Sequence, residues 1–561
     1  MKLDMRTVLV LVLIVFMLGL GLGKLSEAQS TTVTLVPEAY VKAASYIIIN
    51  DGGTFKVMSG TTGAVLSSSS DALTILKYVS DRTTSGGIVY VAPGTYTLSA
   101  KWVISNPGYW KSDGAIIKLA DNVDDDMINI ETNDLTFEGF IFDGNGANQA
   151  GGMGIVLGKT GDIYRVTFID CEFRNFYSYA LRGYYKANGL KVIRCRFYNN
   201  LHNGDACDLL ISGNSSQYTT IVEDCEFQNS SIHAIYVANG AKNVLIKGCR
   251  FYNVGSSYLH HAVYVSGDTV GCFNIKIKDC YSYNTAGAAY QLLGVNGGIV
   301  EGCTSEQDYR LVVCFPGTSY GLFNIKIVDN TVKNATQNAI VISIDKDQPN
   351  RNFIIRGNII EEPGNDGIAV GSSYSSNPLK YVFIEENIIV KSASTNFGIH
   401  VTGYGSDIYI HRNHISGFSS PYSVESGIDI SGLAYTFRQT GSSKTVTETS
   451  WTIKDYKYTD DPYLSMIPTR VYVDYDNPSG STVTLYFRVR ITYWDLTESI
   501  TNTVTVTEGN SGTYIWEADD LSAYMNAGKS VKRVAVEAYV SATPAAGYEP
   551  TVTVNFYGYQ L

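Results

Sequence analysis

Asp224-Cys225-Glu226-Phe227-Gln228-Asn229 returns 24 residues later as Gly248-Cys249-Arg250-Phe251-Tyr252-Asn253. The same outline stands at Asp170-Cys171-Glu172-Phe173-Arg174-Asn175, at Arg194-Cys195-Arg196-Phe197-Tyr198-Asn199 and at Asp279-Cys280-Tyr281-Ser282-Tyr283-Asn284. Cys303 continues the series. Asn then takes the slot at Asn330, Asn358, Asn387 and Asn413, and Phe140 fits one step before Cys171. Eleven units of about 27 residues therefore run from Phe140 to Asn413. A period of this length marks a stacked repeat.

Each unit carries three short alternations. Apolar residues stand five and three positions before the slot, as in Ile275 and Ile277, Ile325 and Ile327, Ile408 and Ile410. A second pair starts at the slot: Cys249 and Phe251, Asn330 and Val332, Asn358 and Ile360. The third has the form small-apolar-x-apolar: Ala234-Ile235-Tyr236-Val237, Ala262-Val263-Tyr264-Val265, Ala339-Ile340-Val341-Ile342, Gly367-Ile368-Ala369-Val370 and Gly398-Ile399-His400-Val401. Period-two runs are half-buried strands. Three strands per coil predict an all-β, right-handed parallel β-helix of about eleven or more coils, whose stacking makes one continuous core. The Leu-x-x-Leu-x-Leu pattern of a leucine-rich solenoid is missing. Propeller blades need longer repeats of four antiparallel strands.

The Asn four residues after the slot (Asn175, Asn199, Asn229, Asn253, Asn284, Asn334) reads as a structural ladder of amides at a corner. The six Cys of the slot read as small buried hydrophobes, because rungs about 4.8 Å apart hold Cβ atoms too far apart for a disulfide. The pairing of Cys207, Cys272 and Cys314 is open. Asn214, Asn229 and Asn334 open Asn-x-Ser/Thr sequons; the first is the glycosylation candidate, and the other two are expected to be buried in the ladder.

Around the repeat, composition agrees. Of 561 residues, 17% are charged, 41 are Tyr and 53 are Gly, with a net charge of −11. A surface of that sign repels nucleic acid, which is excluded as a partner. Lys2 and Arg6 precede an apolar run from Val8 to Leu22, and Ser26-Glu27-Ala28 offers a cleavage site, so residues 1–28 read as a signal peptide or an N-terminal anchor. The protein is expected to be secreted, extracellular or on the cell surface, touching a membrane only if that segment is uncleaved. Residues 29–70 read as leader strands and 71–435 as the β-helix. Residues 440–561 carry long alternating strands and read as a capping antiparallel β-sandwich.

Ser70-Asp71-Ala72-Leu73-Thr74-Ile75-Leu76-Lys77-Tyr78-Val79 has the spacing of a short amphipathic helix with Ser70 or Asp71 as N-cap. Gly86-Gly87-Ile88-Val89-Tyr90-Val91-Ala92-Pro93-Gly94-Thr95-Tyr96-Thr97-Leu98 follows as strand, turn and strand. This entry resembles that of the pectate-lyase-like superfamily, in which a capping helix seals the first coil. The preceding Ala44–Ile49 and Thr62–Val65 resemble the leader of archaeal and viral members. The resemblance spans roughly 44–435. It implies the fold, but not one reaction, since the superfamily includes lyases, glycoside hydrolases, esterases, epimerases, tailspikes and adhesins.

Chemistry must sit on outward residues and corner loops. Alignment of the third strands on their small residue puts Tyr236, Tyr264 and Tyr290 in one outward column, with Asp208 one coil earlier. Asp205, His233 and His261 form the column just before the small residue. Stacked Tyr faces suit sugar rings, and His or Asp beside them could move protons. The candidate catalytic residues are thus Asp205, Asp208, His233 and His261. The candidate substrate-binding residues are Tyr236, Tyr264, Tyr290, His260 and Arg310. His202 lies nearby in sequence, while His400, His411 and His414 form a second, looser group.

The resemblance also implies a calcium-dependent lyase set, with Asp205 and Asp208 as Ca2+ ligands and an Arg or Lys base. No Arg or Lys stands in the matching columns, and Arg310 is the nearest. No recognised metal-ligand spacing exists, so no metal site is assigned and no cofactor follows from the residues themselves. The expected function is a secreted polysaccharide-active protein, a lyase or glycoside hydrolase acting on a polymeric glycan. The alternative is a non-catalytic surface, adhesion or glycan-binding protein, with a polysaccharide or cell-envelope glycan as partner in either case. The oligomeric state is open.

Overall fold

The computed structural model describes residues 44–184, 187–200, 206–213, 217–238, 240–425, 437–440, 444–447, 449–450, 452–458, 466–480, 482–493, 497–517, 521 and 531–560. The segment 1–28, His202, Asp205 and the Asn214 sequon lie outside the described residues, as does Gly427–Ile430. Within the described residues no helix is long and apolar enough to cross a membrane.

The chain winds as a right-handed parallel β-helix with three strands per coil. One coil consists of Lys242–Lys247, Arg250–Tyr252 and Val263–Ser266; the next of Cys272–Lys278, Tyr281–Tyr283 and Ala288–Leu293. First strands stack into a 16-stranded sheet, and second and third strands share a 24-stranded one. The register keeps the apolar residues inside: Val244 pairs with Ile275 and Ile246 with Ile277.

One inner column is aromatic. Phe173, Phe197 and Phe227 stack at centroid distances of 4.5 and 4.7 Å. Burying each such ring contributes up to about 3 kcal/mol. The nine Cys are buried and free, including Cys207, Cys272 and Cys314.

The corner after the second strand turns on one left-handed residue, a conformation that Asn adopts at little cost. Asn199, Asn229, Asn253 and Asn284 all have φ between 53° and 57°, and Asn284 Nδ2 donates to Asn253 Oδ1 at 2.9 Å. This ladder faces solvent. Asn229 and Asn334 are exposed, so the expectation that these sequons are buried is corrected. The left-handed corner turns the amide along the outside of the coil.

At the N-terminal end, Tyr46–Asp51, Thr54–Ser59 and Val65–Ser69 form an antiparallel meander that joins the 16-stranded sheet. Helix α1 (Ala72–Ser80) follows. Its N-cap is Asp71, whose carboxylate accepts from the Thr74 amide at 2.9 Å. Ala72, Ile75, Leu76 and Val79 are buried in the same core as the first coils, so the helix closes the end of the stack.

The C-terminal region contains two five-stranded antiparallel sheets. Val471, Val473, Trp516 and Val552 of one share a core with Leu485, Phe487 and Val536 of the other. This is the packing of a β-sandwich.

Candidate functional site

The third strands fix the site through their register. Ile235 pairs with Val263 and Tyr236 with Tyr264. His233 therefore neighbours His261, and their rings stack at 5.5 Å and 11°. Tyr236 and Tyr264 stack at 4.9 Å, and His233 lies 4.8 Å from Tyr264. Four rings thus form one platform on two adjacent coils.

The imidazoles are held by backbone. The His261 amide donates to His233 Nδ1 at 3.0 Å, and the Ala288 amide donates to His261 Nδ1 at 3.0 Å. An amide can only donate, so each neutral ring carries its proton on Nε2. Burial lowers the His261 pKa to about 3; a backbone contact with Ala288 opposes this, while the charges of His260 and Arg310 add to it. His261 is neutral at physiological pH. Burial pushes the Tyr236 phenol up to about 12 and raises Tyr264 as well, with Ser266 opposing both. Both remain hydroxyl donors.

Three column assignments change. The first is Tyr290, which leaves the Tyr column: it pairs with Val263, and Gln291 takes the slot beside Tyr264. Tyr290 is fully buried, because a shift of one residue carries a side chain through the sheet.

The second is Asp208, which is also fully buried. Cys207 pairs with His233 and Leu210 with Tyr236, so Cys207 and not Asp205 holds the His-column position on that coil, and Asp208 falls two residues short of the Tyr column, at the small-residue bend. There it accepts from Asn200 Nδ2 at 2.6 Å and from Ser230 Oγ. With both oxygens engaged inside, it is neither an outward acid nor a calcium ligand. Among the described residues no group of three His, Cys, Asp or Glu is arranged to hold a metal.

The third change concerns Arg310, which does stand in the His column. Ala288, the neighbour of His261, pairs with Arg310 on the following coil, two rungs or about 10 Å along. Arg310 Nε is buried without a hydrogen-bond partner, the guanidinium lies 4.9 Å over Tyr309, and burial lowers its pKa.

Two loops wall this end. Tyr258 meets Tyr309 at 6.3 Å, and His260 approaches His233 edge-on at 5.9 Å. Gly287 has to be glycine, since a Cβ there would come within 2.3 Å of the His260 carbonyl oxygen.

Arg182 was missed in the sequence. It pairs with Leu210, the neighbour of Tyr236, and so heads the Tyr column. It lies 4.9 Å over Tyr179 and 4.6 Å over Tyr184, and its Nε is also buried without a partner. The signal was available, because Ala180-Leu181-Arg182 has the small-apolar-x form of the other third strands.

His400 lies on this same face farther along, 3.1 Å from Asp366. A cavity of about 360 Å³ lies beyond, lined by Val341, Ala369 and Thr402. His411 is on the 16-stranded sheet, 2.6 Å from Glu385, and His414 starts a second strand. The three do not form one group.

Residues 209–380 match the family model described as a right handed beta helix region. No curated protein matches the chain. Among solved structures, it is similar to the A-module of a mannuronan C-5 epimerase from Azotobacter vinelandii, at 17% identity over 65% of this chain and 94% of that one (TM-score 0.43). It is similar to a mannuronic acid specific polysaccharide family 6 lyase from human gut microbiota, at 12% identity over 64% and 82% (TM-score 0.41). It is also similar to the Dettilon tailspike protein, at 12% identity over 85% and 89% (TM-score 0.40). These likenesses concern the winding of the chain.

Proposed function

We propose that this is a polysaccharide-active protein that holds an acidic glycan along its third strands, from Arg182 to Arg310, and cleaves it by elimination. The observation that carries this reading is the arrangement of charge and rings. In a chain of net charge −11, two guanidiniums with buried, unpartnered Nε atoms stand at either end of a stacked Tyr/His platform. They are five rungs apart, on the order of 24 Å. An acidic sugar chain supplies carboxylates for the arginines, apolar ring faces for Tyr236 and Tyr264, and acceptors for the two Nε2–H groups.

Inverting hydrolysis needs two accessible carboxylates. Asp208 is buried and engaged, which favours elimination. In that reaction Arg310 and the Nε2–H groups stabilise the charge that grows on a uronate carboxylate as the adjacent carbon loses its proton. The bond to the leaving sugar oxygen then breaks and a carbon–carbon double bond forms. The Tyr264 hydroxyl is assigned to protonate the leaving oxygen. Cys207 rather than Asp205 stands in the His column, so no acid of this chain is assigned as the proton acceptor, and the proton passes to solvent water. The segment 1–28 would deliver the protein to the extracellular side or the cell surface.

A second reading, glycan binding without turnover, is favoured by one observation: both imidazoles are donors, and His261 is too weak a base to accept a proton at neutral pH. Incubation with polygalacturonate, polymannuronate and neutral glucans separates the two. The expected result is unsaturated uronate absorbance on an acidic polymer, with Arg310→Ala lowering kcat/KM by about 10²–10³-fold. Binding that depends on Arg310 without product would establish the second reading. Neither binding nor product would sink both.

A further inference from the structure

A second groove lies on the 16-stranded sheet, away from the Tyr/His platform. Lys242, Phe273, Asn296, Phe323, Arg351 and Lys380 occupy one register position on successive coils. Tyr320 spans the gap over Asn296, at 5.5 Å from Phe273 and 6.1 Å from Phe323. It rests on Gly271, where a Cβ would lie 2.4 Å from its ring. Arg351 lies 5.7 Å over Phe323.

Beside this row runs a column of left-handed residues: Asn243, Asn274, Gly297, Asn324, Asn352, Tyr381 and Asp407, with φ between 51° and 79°. Asn, Asp and Gly suit that conformation, and a bulky aromatic does not. The amides also form a chain, since Asn352 Nδ2 donates to Asn324 Oδ1 and Asn324 Nδ2 to Asn296 Oδ1, both at 2.9 Å. Tyr381 interrupts it. Its side chain is 45% exposed, so no core contact compensates. The fold holds this aromatic ring in solvent at a left-handed position, where its face is open to a ligand.

Two concavities of about 490 and 400 Å³ meet here and share Phe323, Arg351 and Tyr381. Both are of ligand size. Ser376 and Asn377 form part of one wall and are tied down by Asp347 at 2.5 and 2.6 Å. Arg351 and Lys380 are exposed neighbours, and neither forms an ion pair or side-chain hydrogen bond among the described residues. Two adjacent exposed cations without an ion pair leave positive charge open to an anion.

We infer that this groove is a second, non-catalytic binding site for an acidic glycan strand, with Arg351 and Lys380 on its carboxylates and Tyr381, Phe323 and Tyr320 against its ring faces. The ligand class follows from a run of aromatic faces, Phe273, Tyr320 and Phe323, that ends on two adjacent cations, Arg351 and Lys380, at rung spacing comparable to the length of one sugar unit. The inference shares the glycan class with the proposed function but none of its residues.

The test uses the full chain and variants Arg351→Ala/Lys380→Ala, Tyr381→Asn and Arg310→Ala. Retention is measured on polygalacturonate, on fully methyl-esterified polygalacturonate and on duplex DNA, with thermal unfolding recorded for each protein. The expected result is at least tenfold weaker retention on polygalacturonate for the double variant and about fivefold for Tyr381→Asn. Tyr381→Asn should leave Tm equal or higher, because it restores the amide chain, and neither variant should lose turnover. Arg310→Ala should lose turnover and keep this retention. Unchanged retention in the double variant overturns the inference and leaves the proposed function standing. Equal retention on the methyl ester or on DNA overturns the assigned ligand class. A fall in Tm for Tyr381→Asn makes Tyr381 structural and also overturns it.

Discussion

The coils with Cys in the inner slot and those with Asn there solve the same packing problem differently. From Cys171 to Cys303 the slot holds small buried thiols that donate to backbone carbonyls, as Cys249 does to Lys247 at 3.4 Å. From Asn330 to Asn413 it holds amides in a continuous chain, buried at Asn330, Asn358 and Asn387, in which Asn330 donates to Asn358, Asn358 to Asn387 and Asn387 to Asn413, each at 2.9 Å. The outward faces change as well. In the Cys half the third strands carry His233, Tyr236, His261, Tyr264 and Arg310. In the Asn half that Tyr slot passes to Val341 and Ala369, while the cations Arg351 and Lys380 stand on the other sheet. The interior sets only the coil's size, so each face is free to change its chemistry along the stack.

The largest expected effect breaks the interior half of this contrast. Asn358 is fully buried. It donates to the Ile327 carbonyl at 2.9 Å and accepts from the Asn330 amide at 3.1 Å. Asn358→Leu strands donors on Asn330 and an acceptor on Ile327, and should cost about 3–5 kcal/mol, since each buried unsatisfied group costs roughly 1–3. Cys249→Ala in the equivalent slot removes one heavy atom and should cost about 1 kcal/mol. Urea unfolding of both variants checks this, and equal costs would show that the amide chain is not cooperative.

The winding was legible because every coil repeats its inner residues. The third-strand register was not, because alignment on a small residue fails where that slot is unusual. At Ala288-Ala289 two alanines compete, and choosing the first turned the buried Tyr290 outward. At Ala206 the slot actually belongs to Asp208, which is neither small nor apolar, so no alignment on small residues could find it. His233, Tyr236, His261 and Tyr264 do lie side by side, since Ala234 and Ala262 mark their bends without ambiguity. The strain at Tyr381 is a property of φ and has no signature in composition or period.

The Cys half also buries titratable groups whose effects oppose one another. His261 has its pKa lowered to about 3 from 6.5. The unfolded chain takes up that proton first, so stability is full above pH 6.5 and is lost as pH falls toward 3. Asp308 is fully buried, and burial raises its carboxyl to about 6 from 3.8, against hydrogen bonds from Ser305 and Thr285. The folded chain holds that proton longer, so its contribution is full below pH 3.8 and is lost as pH rises to 6. Each slope is about 1.4 kcal/mol per pH unit, and between pH 4 and 6 they nearly cancel. Asp308→Asn should therefore gain about 3 kcal/mol relative to the parent chain between pH 4 and 6. Unfolding midpoints that run parallel across that range would refute the buried-acid assignment.

The smallest effect concerns how far the platform extends. Arg182 is held between Tyr179 and Tyr184, with Nη1 2.9 Å from Met153 Sδ. Three rungs separate it from Tyr264, and the apolar Leu210 stands between it and Tyr236. A glycan bound at Tyr264 reaches Arg182 only if it also crosses Leu210, so the arginine adds a single charge contact at the end of the strand. Arg182→Ala should weaken binding of a long acidic oligomer about three- to fivefold, within 1 kcal/mol, and leave a disaccharide unaffected. Titration with oligomers of increasing length reads this directly. A loss that is equal at every length would move the binding centre from the His pair toward Arg182, and the Cys half would then carry its chemistry at least two coils nearer the N-terminal cap.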